Sequence, residues 1–180
     1  MSGVWNEFQT YPVLVFSLVA ALTDLCRGKI YNWLTLPAIL LGIGYGATTA
    51  GFSGATSALL GVATGLSLYG WMFWFGTMGG GDIKLLMALG AWSGPLYAFH
   101  VGVLGIFTGG ALALLILLFS GKLVSFIRRM YRFVLTLMVK ELELETPKID
   151  RKLTMPFGIP IAIAAVWVKV ANPLEGFHLW

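Results

Sequence analysis

The chain carries little charge and almost no cysteine. Only 11% of its 180 residues are Asp, Glu, Lys or Arg, less than half of the roughly 25% usual in soluble domains. One cysteine, Cys26, excludes a disulfide framework and any zinc site built from several thiolates. The scarcity of charge also excludes a disordered chain, which needs many polar and few apolar residues. The 23 glycines follow no Gly-x-y period, so collagen is excluded as well. What remains is apolar: 58% hydrophobic residues and a mean hydropathy of +0.84. These numbers describe a polytopic membrane protein, in which glycine lets helices approach closely.

A spanning helix needs roughly 20 predominantly apolar residues. Apolar runs at about 8–25, 33–50, 56–75, 82–94, 96–119 and 155–170 predict one all-α membrane domain over residues 1–180, with six transmembrane helices. Trp5 and Tyr11 stand at the first run like interfacial aromatics. No Lys or Arg precedes that run and no small-residue cleavage site follows it, which argues against a removable signal peptide. Six spans put both termini on one side. The other side then collects Arg27, Lys29, Lys84, Lys122, Arg128, Arg129, Arg132, Lys140, Lys148, Arg151 and Lys152, leaving only Lys169 opposite. Positive-inside makes the basic face cytoplasmic and leaves the termini outside a cell (inner) membrane. Topology therefore accounts for the formal charge of +4, and the bilayer, not nucleic acid, is the expected environment. Between the fifth and sixth runs, residues 123–139 mix apolar side chains with Arg128, Arg129 and Arg132. This pattern predicts an amphipathic helix on the cytoplasmic headgroup surface; the alternative is an extension of the fifth span.

Two aspartates fall where a membrane normally rejects them. Asp24 lies at the cytoplasmic end of the first span and Asp82 at the cytoplasmic start of the fourth, so the two can meet. Singly, Asp24 could pair with Arg27 or Lys29, and Asp82 could cap a helix after Gly79-Gly80-Gly81. The run 82–94 makes only about 20 Å of helix, against a hydrocarbon core of about 30 Å. Asp82 and the preceding glycines therefore lie below the surface, where non-helical backbone must be buried in protein or line a watery cavity. Two carboxylates at close range do not both ionise readily, so one retains a proton. The ionised partner can deprotonate a water as it attacks a carbonyl, while the protonated one donates to the carbonyl oxygen. That is aspartic-protease chemistry, with neither metal nor cofactor.

These residues resemble the type IV prepilin peptidase family, membrane aspartic proteases of the G-x-G-D class. Asp24 opens Asp-Leu-Cys-Arg-Gly-Lys-Ile-Tyr-Asn-Trp-Leu-Thr, in which Arg27, Ile30, Asn32, Leu34 and Thr35 fill the family pattern and Tyr31 replaces its usual proline. The second match is Gly79-Gly80-Gly81-Asp82-Ile83-Lys84-Leu85, continuing as Met87-Ala88-Leu89-Gly90, and the third is Pro156-Phe157-Gly158 at the last span. The resemblance implies removal of a short basic leader from pilin-like, membrane-anchored precursors at the cytoplasmic face, with Asp24 and Asp82 as the catalytic pair. With one cysteine and no long loop between the first two spans, the chain is similar to the short branch that lacks N-methyltransferase activity. That branch is associated with Flp/Tad-type pili or archaeal flagellins, and Pro156-Phe157-Gly158-Ile159-Pro160 is closer to the bacterial form.

Supporting roles follow for Gly79, Gly81, Lys84, Asn32, Pro156 and Gly158. Lys84 could pair with Asp82 or a substrate carboxylate, or snorkel as an anchor. Asn32 could satisfy backbone near Asp24 or serve as a plain turn residue. Gly158 and its flanking prolines could open a substrate groove or simply start a helix. A basic leader would sit near Glu141, Glu143 and Glu145. Two other readings stand beside this one. A presenilin-like or signal-peptide-peptidase-like protease shares the G-x-G-D motif but generally uses Tyr-Asp where this chain has Thr23-Asp24. A small ion-coupled transporter could use both carboxylates, but it predicts paired broken helices in inverted repeats.

Overall fold

The computed structural model describes residues 7–121, 123–138 and 157–171. Pro156, Glu141, Glu143, Glu145 and the start of the sixth expected span lie outside these residues. Among the described residues the structure is helical, with no strand. The helices are α1 (Glu7–Arg27), α2 (Asn32–Trp74), α3 (Gly80–Phe119), α4 (Leu123–Met138) and α5 (Gly158–Ala171). Three of them, α1, α2 and α3, are long and apolar enough to cross a membrane, and α5 is a shorter apolar helix. The chain divides into two compact units, residues 1–109 with 156–180, and residues 110–155.

Helices α2 and α3 are not straight rods. In α2 the helical path breaks at Ala50 and Gly51, where Gly51 takes φ +59°, a value that L side chains rarely adopt. Gly46 and Gly54 then face each other so closely that a Cβ on Gly46 would stand 2.7 Å from the Gly54 carbonyl oxygen. Eight residues of straight helix would separate them by about 12 Å, so α2 doubles back. The same happens in α3 at Gly94, φ +82°, where a Cβ on Gly90 would meet the Ala98 methyl at 3.0 Å. Both breaks fall where the sequence separates two apolar runs. The 43-residue and 40-residue helices each hold a pair of antiparallel segments.

Glycine and aromatic contacts lock the first unit. Gly61 lies on Gly90, and a Cβ on Gly65 would stand 2.8 Å from the Met87 nitrogen, so the second half of α2 packs backbone to backbone on the first half of α3. Trp92 stacks on Tyr45 at 5.5 Å and donates its indole N–H to the Ala38 carbonyl at 2.8 Å. Buried Tyr69 and Tyr97 donate their hydroxyls to the carbonyls of Gly102 and Ala165, each at 2.9 Å, so neither buries an unpaired hydroxyl. Helix α5 packs along α1 and is tied to α3 by the Thr108 hydroxyl, which donates to the Pro160 carbonyl at 3.2 Å. At the end where α1 stops and α2 both begins and ends, Trp33, Trp71, Trp74 and Phe75 are exposed.

Candidate active site

Asp24 is held in the last turn of α1 by a helix stop. The Gly28 N–H donates to the Asp24 carbonyl at 2.7 Å, with Gly28 at φ +61°, the simple left-handed C-cap that closes a helix. The chain then needs only Lys29, Ile30 and Tyr31 to begin α2. Tyr31 caps α2 at φ −82°, ψ 139°, close to the φ that proline would impose. The loop therefore takes the backbone conformation of the proline it lacks. Arg27 clamps it, donating from Nη1 to the Tyr31 hydroxyl at 3.1 Å and lying 5.8 Å from the ring centroid, a cation–π geometry.

Asp82 is set by a second stop and start. Helix α2 ends in a Schellman motif: the Gly76 N–H donates to Phe73 and the Thr77 N–H to Met72, at 2.8 and 3.0 Å. Three residues later α3 begins, with Asp82 in its first turn. The Asp82 Oδ2 accepts the Gly79 N–H at 3.2 Å, the reach-back half of a capping box. The cap that the sequence allowed for Asp82 is thus real, and it fixes the carboxylate's orientation.

Gly158, the first residue of α5, does the same for Asp24. Its N–H donates to Asp24 Oδ2 at 2.7 Å across 134 residues of sequence, the short distance of a charge-assisted bond. Each aspartate therefore meets a glycine amide at the start of a helix, where unpaired N–H groups point outward. Both carboxylates are buried, at 6% and 8% exposure, so in each case a hydrogen bond replaces lost water. They also lie within direct electrostatic reach of one another.

One side chain links the two halves. Ile30, buried in the α1–α2 loop, puts its Cβ 2.9 Å from where a Gly81 side chain would begin and its Cδ1 3.1 Å from the equivalent point on Gly158. The path Asp24, Gly158, Ile30, Gly81, Asp82 is continuous, and at both crossings a Cβ would force a neighbouring side chain to shift. Ile30, which the sequence places in the family pattern without a role of its own, stands at the candidate site, in the turn Gly28-Lys29-Ile30-Tyr31.

The other expected site residues separate. Lys84 donates from Nζ to Asn32 Oδ1 at 2.8 Å, an exposed bond that joins the first turns of α3 and α2. It engages Asn32 where pairing with Asp82 had been one option. Gly79 immediately precedes α3, Gly81 is the second residue of that helix, Gly158 lies on Asp24, and Pro156 falls outside the described residues. Cys26 is exposed. Among the described residues no group of three or more His, Cys, Asp or Glu side chains gathers as a metal site would require. Residues 11–114 match the type IV leader peptidase family. No curated protein matches, and no solved structure does.

Proposed function

The chain belongs to the type IV leader peptidase family, and from that premise we propose that it is an intramembrane aspartic endopeptidase. Its substrates are pilin-like precursors of the Flp/Tad or archaellin-like kind, from which it removes a basic leader at the cytoplasmic membrane face. Asp24 and Asp82 are the catalytic pair. The observation that carries this reading is their arrangement: two buried acids, each held through Oδ2 by a glycine amide and linked through the contacts of Ile30 with Gly81 and Gly158. With Oδ2 engaged, Oδ1 of each carboxylate is the oxygen that meets water and substrate. One carboxylate deprotonates the attacking water, and the other protonates the carbonyl oxygen as charge develops on it. Burial strengthens these interactions by excluding bulk water.

Six spans position this pair. The folded-back α2 and α3 supply four of them, α1 and α5 the others, with both termini outside. The exposed Trp33, Trp71, Trp74 and Phe75 mark the membrane–water interface at the end that holds both aspartates. A substrate that is itself an apolar helix would then present its leader junction at the depth of the dyad. Removal of the leader uses no metal or cofactor, and no methyl transfer accompanies it.

Incubation of the purified protein with a pilin-like precursor tests the reading. Leader removal is expected for the wild type, with a loss of at least about 1,000-fold, or about 4 kcal/mol of transition-state stabilisation, in Asp24→Asn and in Asp82→Asn. Undiminished cleavage in either folded variant overturns the dyad. Failure of the wild type to cleave any pilin-like substrate overturns the leader-peptidase activity itself.

A further inference from the structure

The start of α5 is keyed to the second half of α3 by residues three and four apart on each side, a spacing that shares one helix face. On α3 these are Gly105, Thr108 and Gly109, and at the start of α5 they are Phe157, Pro160 and Ile161. A Cβ on Gly109 would stand 2.5 Å from Phe157 Cζ and 2.9 and 3.0 Å from its two Cε atoms, so the tip of the ring rests on bare backbone. One turn away, a Cβ on Gly105 would stand 3.5 Å from Ile161 Cγ1. Between these contacts the Thr108 hydroxyl reaches the Pro160 carbonyl. The matched positions fall along one helix as they rise along the other, so the two run antiparallel.

Phe157 bears on Asp24 through a shared peptide plane. The Phe157 carbonyl and the Gly158 N–H belong to one planar unit. That carbonyl accepts the Ile161 N–H at 3.3 Å, and the N–H donates to Asp24 Oδ2 at 2.7 Å. Neither end turns without the other, and the ring on Gly109 holds the unit from the side. We propose that Phe157 is a positioning residue for Asp24: its ring, seated on Gly109, sets the peptide plane whose N–H orients the carboxylate. The effect on cleavage rests on the peptidase reading of Asp24, whereas the hold on the carboxylate does not.

Gly109→Ala tests this in the full chain by pushing the ring off its seat. Phe-Gly occurs in the sequence only at Phe75-Gly76 and Phe157-Gly158. Protein isotope-labelled at phenylalanine carbonyls and glycine nitrogens therefore gives one NMR amide signal for each pair, and loss of one in Gly158→Ala identifies it. The Gly76 N–H, bonded to the Phe73 carbonyl, is the internal reference. We expect Gly109→Ala to move the Gly158 proton upfield as its charge-assisted bond lengthens, with Gly76 unmoved. In cleavage of a pilin-like precursor kcat should fall about 10- to 100-fold, since a misplacement near 1 Å costs roughly 100-fold, with KM nearly unchanged. Phe157→Ala, which empties the seat, should lower kcat over the same range. Adding Phe157→Leu to Gly109→Ala removes the Cζ and Cε atoms that meet the new methyl and should recover several-fold of kcat. Tyr97→Phe instead unties α5 at Ala165, and should lower the thermal midpoint with kcat within twofold and the Gly158 signal in place. Equal losses of kcat in Tyr97→Phe and Phe157→Ala would reduce Phe157 to a stabilising contact and overturn the proposal. So would an unmoved Gly158 signal in folded Gly109→Ala, or kcat within twofold of a cleaving wild type in both Gly109→Ala and Phe157→Ala. A shifted signal in a protein whose wild type cleaves no pilin-like substrate supports the hold on Asp24 and overturns the peptidase reading alone.

Discussion

Gly158→Ala probes the site with a single methyl group. The new Cβ would stand 2.8 Å from Asp24 Oδ2, 3.1 Å from Asp24 Cβ and 3.1 Å from Ile30 Cδ1. The first distance is inside van der Waals contact, and the other two are tight. Gly158 is not among the glycines at positive φ, so alanine meets no backbone strain and gains slightly in helix propensity, by up to about 1 kcal/mol. Crowding is the remaining effect, and overpacking of this kind costs about 1–3 kcal/mol. Relief comes from movement of Asp24, which lengthens its bond to the Gly158 amide and turns the carboxylate away from Asp82. A misplacement near 1 Å costs a catalytic site roughly 100-fold, about 2.7 kcal/mol of barrier. We expect kcat for leader removal to fall about 30- to 300-fold, with KM nearly unchanged and only a small shift in thermal midpoint. Adding Ile30→Val removes the Cδ1 that blocks the new methyl, so the double variant should recover several-fold of kcat. A non-additive coupling of this kind identifies side chains in contact. A folded Gly158→Ala enzyme with kcat within twofold of wild type would refute the reasoning, since the tightest contact of the new methyl is with Asp24 Oδ2 itself.

Three further outcomes follow from other contacts. Gly51→Ala, at φ +59°, should destabilise the fold by about 1–3 kcal/mol in chemical denaturation, whereas Gly44→Ala, with open space around its Cβ, should change it by less than about 1 kcal/mol; equal effects would mean that α2 does not turn at residue 51. Asn32→Ala breaks the exposed bond to Lys84 and should cost no more than about 1 kcal/mol with kcat retained, so loss of cleavage would give that pair a direct role. Tyr31→Pro exchanges the Arg27 stack, worth about 0.5–1 kcal/mol at an exposed site, for a preset φ that contributes about 0.4–1 kcal/mol through the unfolded chain. Stability should therefore stay within about 1 kcal/mol, and a larger loss would show that the loop depends on the tyrosine.

Much of the architecture is legible without coordinates because membrane insertion acts on local composition. Gly51 and Gly94 interrupt apolar runs that are otherwise long enough to continue as one helix, and the chain turns at both. Asp24 and Asp82 stand out in the sequence because each is an acid beside apolar residues, a cost that depends only on near neighbours. Gly28 marks the end of α1 in the same local way. By contrast, the two readings of Gly158, groove or helix start, could not be separated from the sequence. The tertiary fold shows that α5 does start there and that its first amide holds Asp24.

The sequence by itself determined the apolar, helical class, the breaks between apolar runs and the two acids, since each follows from the cost of placing a residue type in an apolar setting. Only the tertiary structure decided how those acids are held. The Gly158 amide reaches Asp24 from 134 residues away, Ile30 fills the space between Gly81 and Gly158, and Lys84 turns to Asn32. Contacts of that kind depend on which helix ends converge and on how closely backbones approach where a Cβ is missing, and neither is encoded within a local stretch of chain.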